Sequence, residues 1–453
     1  MFVRPIIYEL LNRGHEVISI TSLPINDPNL NNLIEIDTSV KLPLLFGRGH
    51  EKTDVVEGSQ MYTIRNAIDF GFVILKSMFN NSQVQSLIRN DQNIKIDVMI
   101  LEWILVPFAG LSFVYDCPLV GIFPMGSDYT SNQLFASDLS PFHTYDINFP
   151  YSNPMSFWEQ MQYMLHLNNA YDIYRKVNDL VQITLNNNFP NHSITLEDLH
   201  RKVNVYLRNN HVAFSGPYVE VPGIINIGGI SKQQPKPLPL NLQQFLDKAT
   251  EGVIFVSFGS LVKSDSIHED KLAILIDTFK KLPFKIIWKW DDYSVSDHFD
   301  NVLIQKWFPQ NDILHHPNTK CFITHGGLQS VEQAIYAKVP LIGIPFFGDQ
   351  HYNVHRIEKL QIGIKQRYMH LNGEDLFNSI LAVINDQKIQ EHLFQGFNSN
   401  LILRSSPAEL RFSEVAAFVN TFIGPSGKDK SLEYGRGYRS EDSSAYLIPH
   451  KDF

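Results

Sequence analysis

Four side chains between residues 305 and 350 could bind the separate parts of one extended ligand. Trp307 offers a flat ring on which a base could stack. Gln310 can both donate and accept hydrogen bonds at a ribose. Further along, Asp349 and Gln350 end a loop and could hold the hydroxyl groups of a sugar. These groups are the ones needed to hold a nucleoside at one end of a ligand and a sugar at the other.

The segment between these residues has the pattern of a phosphate site. The apolar run 321–324 predicts a buried strand, and His325-Gly326-Gly327 predicts a turn into a helix that begins near Leu328. Glycines let the backbone approach a ligand, and the free N–H groups and the dipole of a helix N-terminus favour an anion. Together with its neighbours, this turn therefore predicts a site for a nucleotide sugar.

Three stretches of this region carry a resemblance to a known family. They read W-x-P-Q from Trp307, T-H-G-G-x-x-S from Thr324 and P-x-x-x-x-P-x-x-x-D-Q from Pro340. In this order they resemble the donor-binding signature of the UDP-glycosyltransferases, most closely the insect and other animal members. The resemblance covers residues 1–397, and its further stretches are 13–17, 226–230 and 256–260.

The resemblance implies a fold, a donor and a set of site residues. The fold would be α/β of the GT-B type, with two Rossmann-like domains and a cleft between them. The second domain would bind a UDP-sugar, which we expect to be UDP-glucose, and no cofactor or metal ion would be needed. The donor-binding residues carried over are Ser260, Trp307, Gln310, His325, Gly327, Gln329, Ser330, Gln333, Asp349 and Gln350. Without a ligand, several of them have ordinary readings, such as a core tryptophan, a buried histidine or polar loop residues.

One position departs from the family pattern. The family has an acidic residue six positions after the second glycine, where it binds the ribose, and this chain has Gln333 there. Glutamine lacks the charge-assisted hydrogen bonds of a carboxylate. Glu332 stands beside it, but neighbours on a helix point about 100° apart, so Glu332 is a poor substitute. We therefore predict weaker UDP-sugar binding than in a Gln333→Glu variant.

The acceptor side departs further. Transfer to an alcohol requires a base, which in the family is a histidine at the end of the first strand. Matching the text at 13–17 places that histidine about two residues before Met1, so we expect the base and the first strand to be missing. His15 follows the first helix and is not a replacement. The acid that orients the base maps to Glu102, which we assign as the catalytic residue of this chain.

Composition limits the class of protein. The chain has 453 residues, of which 44% are hydrophobic and 19% charged, as in a globular protein. A net charge of −9 argues against nucleic acid as a partner. Cys117 and Cys321 lie in apolar text and are predicted to be buried free thiols. An NAD(P)-dependent oxidoreductase is disfavoured because no Gly-x-Gly-x-x-Gly opens either domain.

Alternating strand and helix patterns predict the domain organisation. We expect an acceptor-binding domain at 1–222, a Pro-rich linker at 223–250, a UDP-sugar-binding domain at 251–400 and a divergent helix with a disordered tail at 401–453. Residues 132–154 predict a long loop near the acceptor. Strands are predicted at 17–21, 96–101, 118–123, 253–258, 284–288, 302–306, 320–324 and 340–344, and helices at 5–13, 61–89, 268–281, 328–337 and 351–360.

The function that follows is inverting transfer of a hexosyl group from a UDP-sugar to a small lipophilic acceptor. A non-catalytic UDP-sugar-binding protein and an incomplete gene model of an active enzyme are the alternatives, because we interpret the chain as truncated at both ends. The family resemblance implies the luminal side of the endoplasmic reticulum membrane. The chain as written shows neither a signal peptide nor a transmembrane segment, since Glu102, Pro107 and Gly110 interrupt the apolar run 98–115. The acceptor and the oligomeric state cannot be read from the sequence.

Overall fold

The structure is a computed structural model that describes residues 2–39, 60–134, 145–216, 221–230, 232–260, 262–293, 295 and 300–398. Within these ranges the chain forms parallel sheets covered by helices, first in the N-terminal half and again in the C-terminal half. The divergent helix and the disordered tail predicted at 401–453 lie outside the described residues.

The N-terminal half contains two parallel sheets, β1-β2 and β3-β4-β5-β6. Their strands are β1 Val17–Thr21, β2 Leu33–Asp37, β3 Met99–Glu102, β4 Leu119–Phe123, β5 Val203–Arg208 and β6 Ile224–Asn226. The helices of this half are α1 Arg4–Asn12, α2 Gln60–Phe79, α3 Ser82–Arg89, α4 Leu111–Val114, α5 Tyr129–Leu134, α6 Phe157–Asn188, α7 Leu196–Lys202 and α8 Val212–Ser215, with a 3₁₀ segment at Trp103–Gly110.

The C-terminal half contains one parallel sheet in the order β12-β11-β10-β7-β8-β9. Its strands are β7 Val253–Ser257, β8 Lys285–Lys289, β9 Val302–Gln305, β10 Thr319–Thr324, β11 Leu341–Gly343 and β12 Gly363–Lys365. Its helices are α9 Leu240–Asp247, α10 Glu269–Lys281, α11 Gln310–Leu314, α12 Leu328–Ala337, α13 Gln350–Lys359, α14 Gly373–Asn385 and α15 Gln387–Asn398, with 3₁₀ turns at Ser264–Ser266 and Tyr368–His370.

The strands at the centre of this second sheet read as continuous apolar runs because helices cover both faces. Every residue of β7 is buried, and so are Cys321–Thr324 of β10. Cys117 and Cys321 are buried and free, which confirms the prediction for both thiols. Among the described residues, none of the helices combines the length and the apolar character needed to cross a membrane.

Two predicted elements need correction. The helical segment predicted at 61–89 is two helices, because Asn81 caps the second one by accepting hydrogen bonds from the backbone N–H groups of Gln83 and Val84. The linker predicted at 223–250 is too wide. Strand β6 lies within it and pairs with β5 of the first domain. Helix α9 lies within it too, and its Leu246 is buried in the core of the second domain.

Candidate functional site

The carboxyl ends of four neighbouring strands, β11, β10, β7 and β8, meet at one edge of the six-stranded sheet of the second domain. Gly259 follows β7, Lys289 ends β8, and His325 follows β10. The loop after β11 leads to Asp349 at the start of α13. Open parallel sheets bind ligands at this edge, because loops and helix N-termini converge there. The strand order thus brings together segments that are far apart in sequence.

The ring of His325 lies between two glycines. A Cβ atom on Gly259 would lie 2.7 Å from Nε2 of His325, and a Cβ atom on Gly327 would lie 2.7 Å from the same atom. Gly259 also has a φ of +80°, which favours glycine. Glycine at these two positions therefore makes room for the imidazole between the loop after β7 and the turn into α12.

The imidazole of His325 is neutral at physiological pH. Burial and, to a lesser extent, the nearby charge of Lys289 lower its pKa from 6.5 to about 4, against a hydrogen bond to the backbone of Ser257 that raises it. A neutral ring can donate one hydrogen bond without carrying a charge. His325 is therefore suited to donate to an anionic oxygen in a site whose positive charge comes from elsewhere.

Lys289, which was not among the predicted site residues, supplies that charge. Its Nζ donates to the carbonyl of Gly259 at 2.5 Å and lies 5.0 Å from the ring centroid of Trp307. Burial lowers its pKa, as does Lys263. A lysine as the last residue of a buried strand, between Trp288 and Trp290, was the available signal.

Trp307 is not a core residue. Its side chain is 57% exposed, which excludes the ordinary reading of a buried tryptophan at a strand end. Lys289 lies over its ring. An exposed indole next to a cation offers a stacking surface for a base close to a positive charge.

Three of the predicted residues, Gln310, Ser330 and Gln333, form one hydrogen-bonded group. Nε2 of Gln310 donates to Oγ of Ser330 at 3.1 Å and to Oε1 of Gln333 at 2.7 Å. Glu332 points elsewhere, as its place on the helix predicts. Its buried carboxylate accepts from the backbone N–H of Gly229 at 3.3 Å.

The side-chain oxygens of Asp349 and Gln350 accept hydrogen bonds from different kinds of group. Oε1 of Gln350 accepts from the backbone N–H groups of Phe346 at 2.9 Å and Phe347 at 3.1 Å, so this oxygen shapes the loop. Asp349 accepts from Nδ2 of Asn353 at 2.7 Å. Burial raises the pKa of Asp349 to about 6, although the bonds to Asn353 and to backbone N–H groups lower it. Asp349 is thus a carboxylate at neutral pH that loses its charge in mild acid.

Ser260 and Gln329 are the two remaining residues that were predicted to bind the donor. Ser260 is exposed after β7. Gln329 reaches the other domain, where its Nε2 donates to the carbonyl of Pro124 at 3.4 Å. Their binding roles stay predictions, and the position of Gln329 indicates a contact across the cleft.

Glu102 ends β3 at the corresponding edge of the four-stranded sheet of the first domain. Burial raises the pKa of its carboxyl group. At the end of β5 lies Arg208, which is 1% exposed and donates to Oγ of Ser131 at 3.1 Å and Oδ1 of Asn132 at 3.2 Å. Within the described ranges, no three His, Cys, Asp or Glu side chains are grouped so that they could hold a metal ion. That the reaction needs none stays a prediction.

Solved structures share this architecture. The glycosyltransferase of kitacinnamycin superposes with a TM-score of 0.60 at 16% identity, covering 92% of this chain and 94% of its own. The UDP-glucose:anthocyanidin 3-O-glucosyltransferase in complex with UDP gives a TM-score of 0.60 at 13% identity, with coverage of 92% and 96%. The fold is therefore that of the GT-B glycosyltransferases, as the sequence predicts.

Sequence relatives define the family within that fold. The family model for UDP-glucoronosyl and UDP-glucosyl transferase matches residues 1–396, so the chain belongs to this family and is a UDP-glycosyltransferase. UDP-glycosyltransferase UGT4 of Dactylopius coccus is 31% identical over 407 residues, covering 86% of this chain and 77% of the relative. The ecdysteroid UDP-glucosyltransferase of Mamestra brassicae nuclear polyhedrosis virus is 30% identical, with coverage of 85% and 75%. The family resemblance drawn from the motifs is confirmed.

Proposed function

We propose that the chain transfers a glucosyl group from UDP-glucose to a small lipophilic acceptor, with inversion at the anomeric carbon. The observation that carries this proposal is the arrangement along one sheet edge: the exposed Trp307, then Lys289 and His325 between its glycines, and Asp349 at the start of α13. The order of these groups along the edge suits a base, then a diphosphate and then a sugar. The names of two relatives, UDP-glucosyltransferase 2 and an ecdysteroid UDP-glucosyltransferase, support glucose as the sugar and a lipophilic acceptor.

In this proposal the charge that develops on the leaving diphosphate is stabilised by fixed groups. Neutral His325 donates a hydrogen bond, Lys289 provides positive charge, and the N-terminus of α12 adds its dipole. The acceptor oxygen attacks the anomeric carbon on the face opposite the leaving UDP, and the new C–O bond forms as the bond to the diphosphate breaks. The acceptor proton must pass to a general base, which in this sequence is expected to be missing, and Glu102 at the carboxyl end of β3 is the residue that would orient such a base.

A thermal-shift series with UDP, UDP-glucose, UDP-glucuronate and NADH tests the ligand. We expect stabilisation by UDP, more by UDP-glucose, and none by NADH. Trp307→Ala should weaken UDP binding by about 1–3 kcal/mol, since stacking on a base is worth that much. Trp158→Ala is the matched control, because Trp158 is 74% exposed in the first domain. Equal UDP affinity in wild type and Trp307→Ala would refute this donor site.

Transfer itself is tested with UDP-glucose and a simple phenol, with the glucoside identified by mass spectrometry and the anomer by NMR. We expect the β-anomer from an α-linked donor. An α-linked product would exclude single displacement. UDP binding with no transfer to any of a panel of phenols and steroids would instead favour a UDP-sugar-binding protein.

We also propose a role in detoxification at the luminal side of the endoplasmic reticulum, since glycosylation makes lipophilic compounds water-soluble. Two N-glycosylation sequences, at 80–82 and 191–193, support exposure to that compartment, and Asn80 and Asn191 are both exposed. Expression in insect cells followed by glycosidase digestion tests this. An unshifted gel band would count against the luminal location.

A further inference from the structure

Helix α13 begins at the sugar-binding end of the candidate site and then runs along the first domain. Asp349 immediately precedes its first residue, Gln350. Tyr352, Arg356 and Ile357, further along the helix, are buried. A helix that is buried on several faces is held by more than its own sheet. The residues of α13 that face the first domain therefore fix where its first turn lies.

Near this helix the two domains exchange aromatic rings, because each domain inserts one ring into the hydrophobic core of the other. Tyr352 of α13 is 1% exposed and belongs to the hydrophobic core of the first domain, where its ring stacks on that of Tyr145 with centroids 4.8 Å apart. Phe214 of α8, in the first domain, is 6% exposed and belongs to the core of the second domain. Each domain thus fills part of the core of the other.

Arg356 connects helix α13 to the first domain next to these two rings. It lies one helical turn after Tyr352, and its Nε donates to the carbonyl of Phe214 at 2.6 Å. Its Nη1 donates to the carbonyl of Asn153 at 3.4 Å. Arg356 is only 6% exposed. A guanidinium group has several donors in a fixed plane, so it can hold two carbonyls of different segments at once.

A second cation of α13 reinforces this contact. Nζ of Lys359 donates to the carbonyls of Ser152 at 2.9 Å and Pro154 at 2.5 Å. All four acceptors are backbone carbonyls of the first domain, from the segments 152–154 and 214. Backbone acceptors cannot rotate away as side chains do, so they define the position of the helix closely.

We propose that Arg356 is a positioning residue for glycosyl transfer. By tying α13 to the carbonyls of Asn153 and Phe214, it fixes the distance between the first turn of α13, where Asp349 would hold the donor sugar, and the acceptor domain. The assignment of the sugar rests on the function proposed above, whereas the tie between the domains does not. Arg356 acts through the helix and does not contact the reacting atoms.

The test compares Arg356→Met, which removes the donors, with Arg356→Lys, which keeps the charge but lacks the planar fork. Arg367→Met is the matched control, because Arg367 is exposed and lies in the second domain just after β12. Spin labels on Asp179→Cys of α6 and Asn378→Cys of α14 report the distance between the domains. The natural cysteines are buried and stay unlabelled.

For Arg356→Met we expect a broadened distance distribution and a UDP affinity within about threefold of wild type. We expect kcat to fall about 10–100-fold, because misplacing the reactants by about 1 Å can cost that much. The KM for UDP-glucose should change little. Arg356→Lys should fall between Arg356→Met and wild type. Arg367→Met should match wild type.

An unchanged distance distribution in Arg356→Met would overturn the proposal, as would an equal loss of UDP affinity and kcat. If wild type does not bind UDP, the proposed function fails, and the distance distributions still decide whether Arg356 ties the domains. If Arg356→Met does not fold, Arg356→Lys replaces it. The proposal then requires a broader distance distribution in Arg356→Lys than in wild type, and a wild-type distribution in that variant refutes it.

Discussion

The four-stranded sheet of the first domain and the six-stranded sheet of the second domain position the polar groups at their carboxyl edges in different ways. At the edge of the second sheet, His325, Lys289 and Trp307 are held by short turns, glycines and strand ends. At the edge of the first sheet, a buried side chain at a strand end holds the neighbouring helix α5 (Tyr129–Leu134). Arg208 bonds Ser131 and Asn132 there. The difference indicates that the donor side is defined by groups that would touch the ligand, and the acceptor side by groups underneath it.

A second buried pair supports this view of the first domain. Oδ2 of Asp146 lies 3.2 Å from Nε2 of His166, and their side chains are 1% and 6% exposed. Asp146 precedes the segment 152–154 that binds α13. Changes in this buried network should therefore alter the shape of the acceptor side while the donor site stays intact. Changes at the second sheet should do the reverse.

The largest effect is expected from Arg208→Met. Burial raises the pKa of Asp128, and the charge of Arg208 opposes that rise, so removal of the cation leaves a buried carboxyl group without it. The substitution also removes the two buried hydrogen bonds from Arg208 to Ser131 and Asn132, each worth about 1.5–3 kcal/mol of unfolding free energy because the donor is charged. Urea unfolding measures the loss, and the exposed Arg175→Met on α6 is the control. If the folded fraction also loses UDP affinity, the two edges are not independent.

Gly327→Ala should disable the donor side while the fold is kept. Its φ of −61° suits alanine, but the new Cβ would lie 2.7 Å from the ring of His325 and displace it. Loss of one donor to a developing anion lowers kcat by about 10²–10³-fold. Gly71→Ala is the control, because a Cβ there meets nothing within 4 Å. A kcat for Gly327→Ala equal to that of Gly71→Ala would show that the His325 ring is not needed where it lies.

The preference for UDP-glucose over UDP should depend on pH through Asp349. Its pKa of about 6 means that the carboxylate, which accepts hydrogen bonds from sugar hydroxyls, is present above pH 6 and is lost as the pH falls through 6. We expect the ratio of the two affinities to fall by up to about tenfold between pH 7 and 5. Calorimetry of both ligands measures it. Asp349→Asn should give a ratio that does not change with pH, and a pH-dependent ratio in that variant would assign the effect to another group.

The smallest effect is expected from Gln333→Glu. Gln310 already donates to the oxygen at this position at 2.7 Å, so a carboxylate would keep that bond and add charge-assisted bonds to a ribose. We expect UDP to bind about 3–10-fold more tightly, in line with a gain of about 1 kcal/mol for one such bond. Calorimetry with UDP and uracil separates the ribose from the base. Equal UDP affinity in both proteins would remove the ribose role of position 333.

The sequence predicted the second domain closely because its signals are local. The helix at Leu328–Ala337 has the predicted bounds, and β7 and β10 lie within one residue of theirs. Apolar runs that end in glycine turns fix strands, since the period and the turn act over few residues. The break between α2 and α3 was missed because apolar residues continue on both sides of it, and only the capping contact of Asn81 separates the helices.

What could not be predicted depends on contacts between distant segments. Lys289 reaches the site because β8 lies beside β7 in the sheet. A single sequence motif does not determine the order of the strands, so this position could not be predicted. The side chain of Gln329 faces Pro124 because the domains meet there. The amide oxygen of Gln350 is taken up by backbone N–H groups of its own loop, and the motif alone gives no orientation for it.

The ring exchange between Tyr352 and Phe214 bears on how the molecule melts. Unfolding either lobe would strip a buried aromatic residue from its neighbour and leave a cavity there, at a cost of about 3–5 kcal/mol for a phenylalanine-sized ring. The lobes should therefore lose structure together in one calorimetric transition, although each has its own sheet. A nucleotide bound to one lobe alone would then protect both from heat.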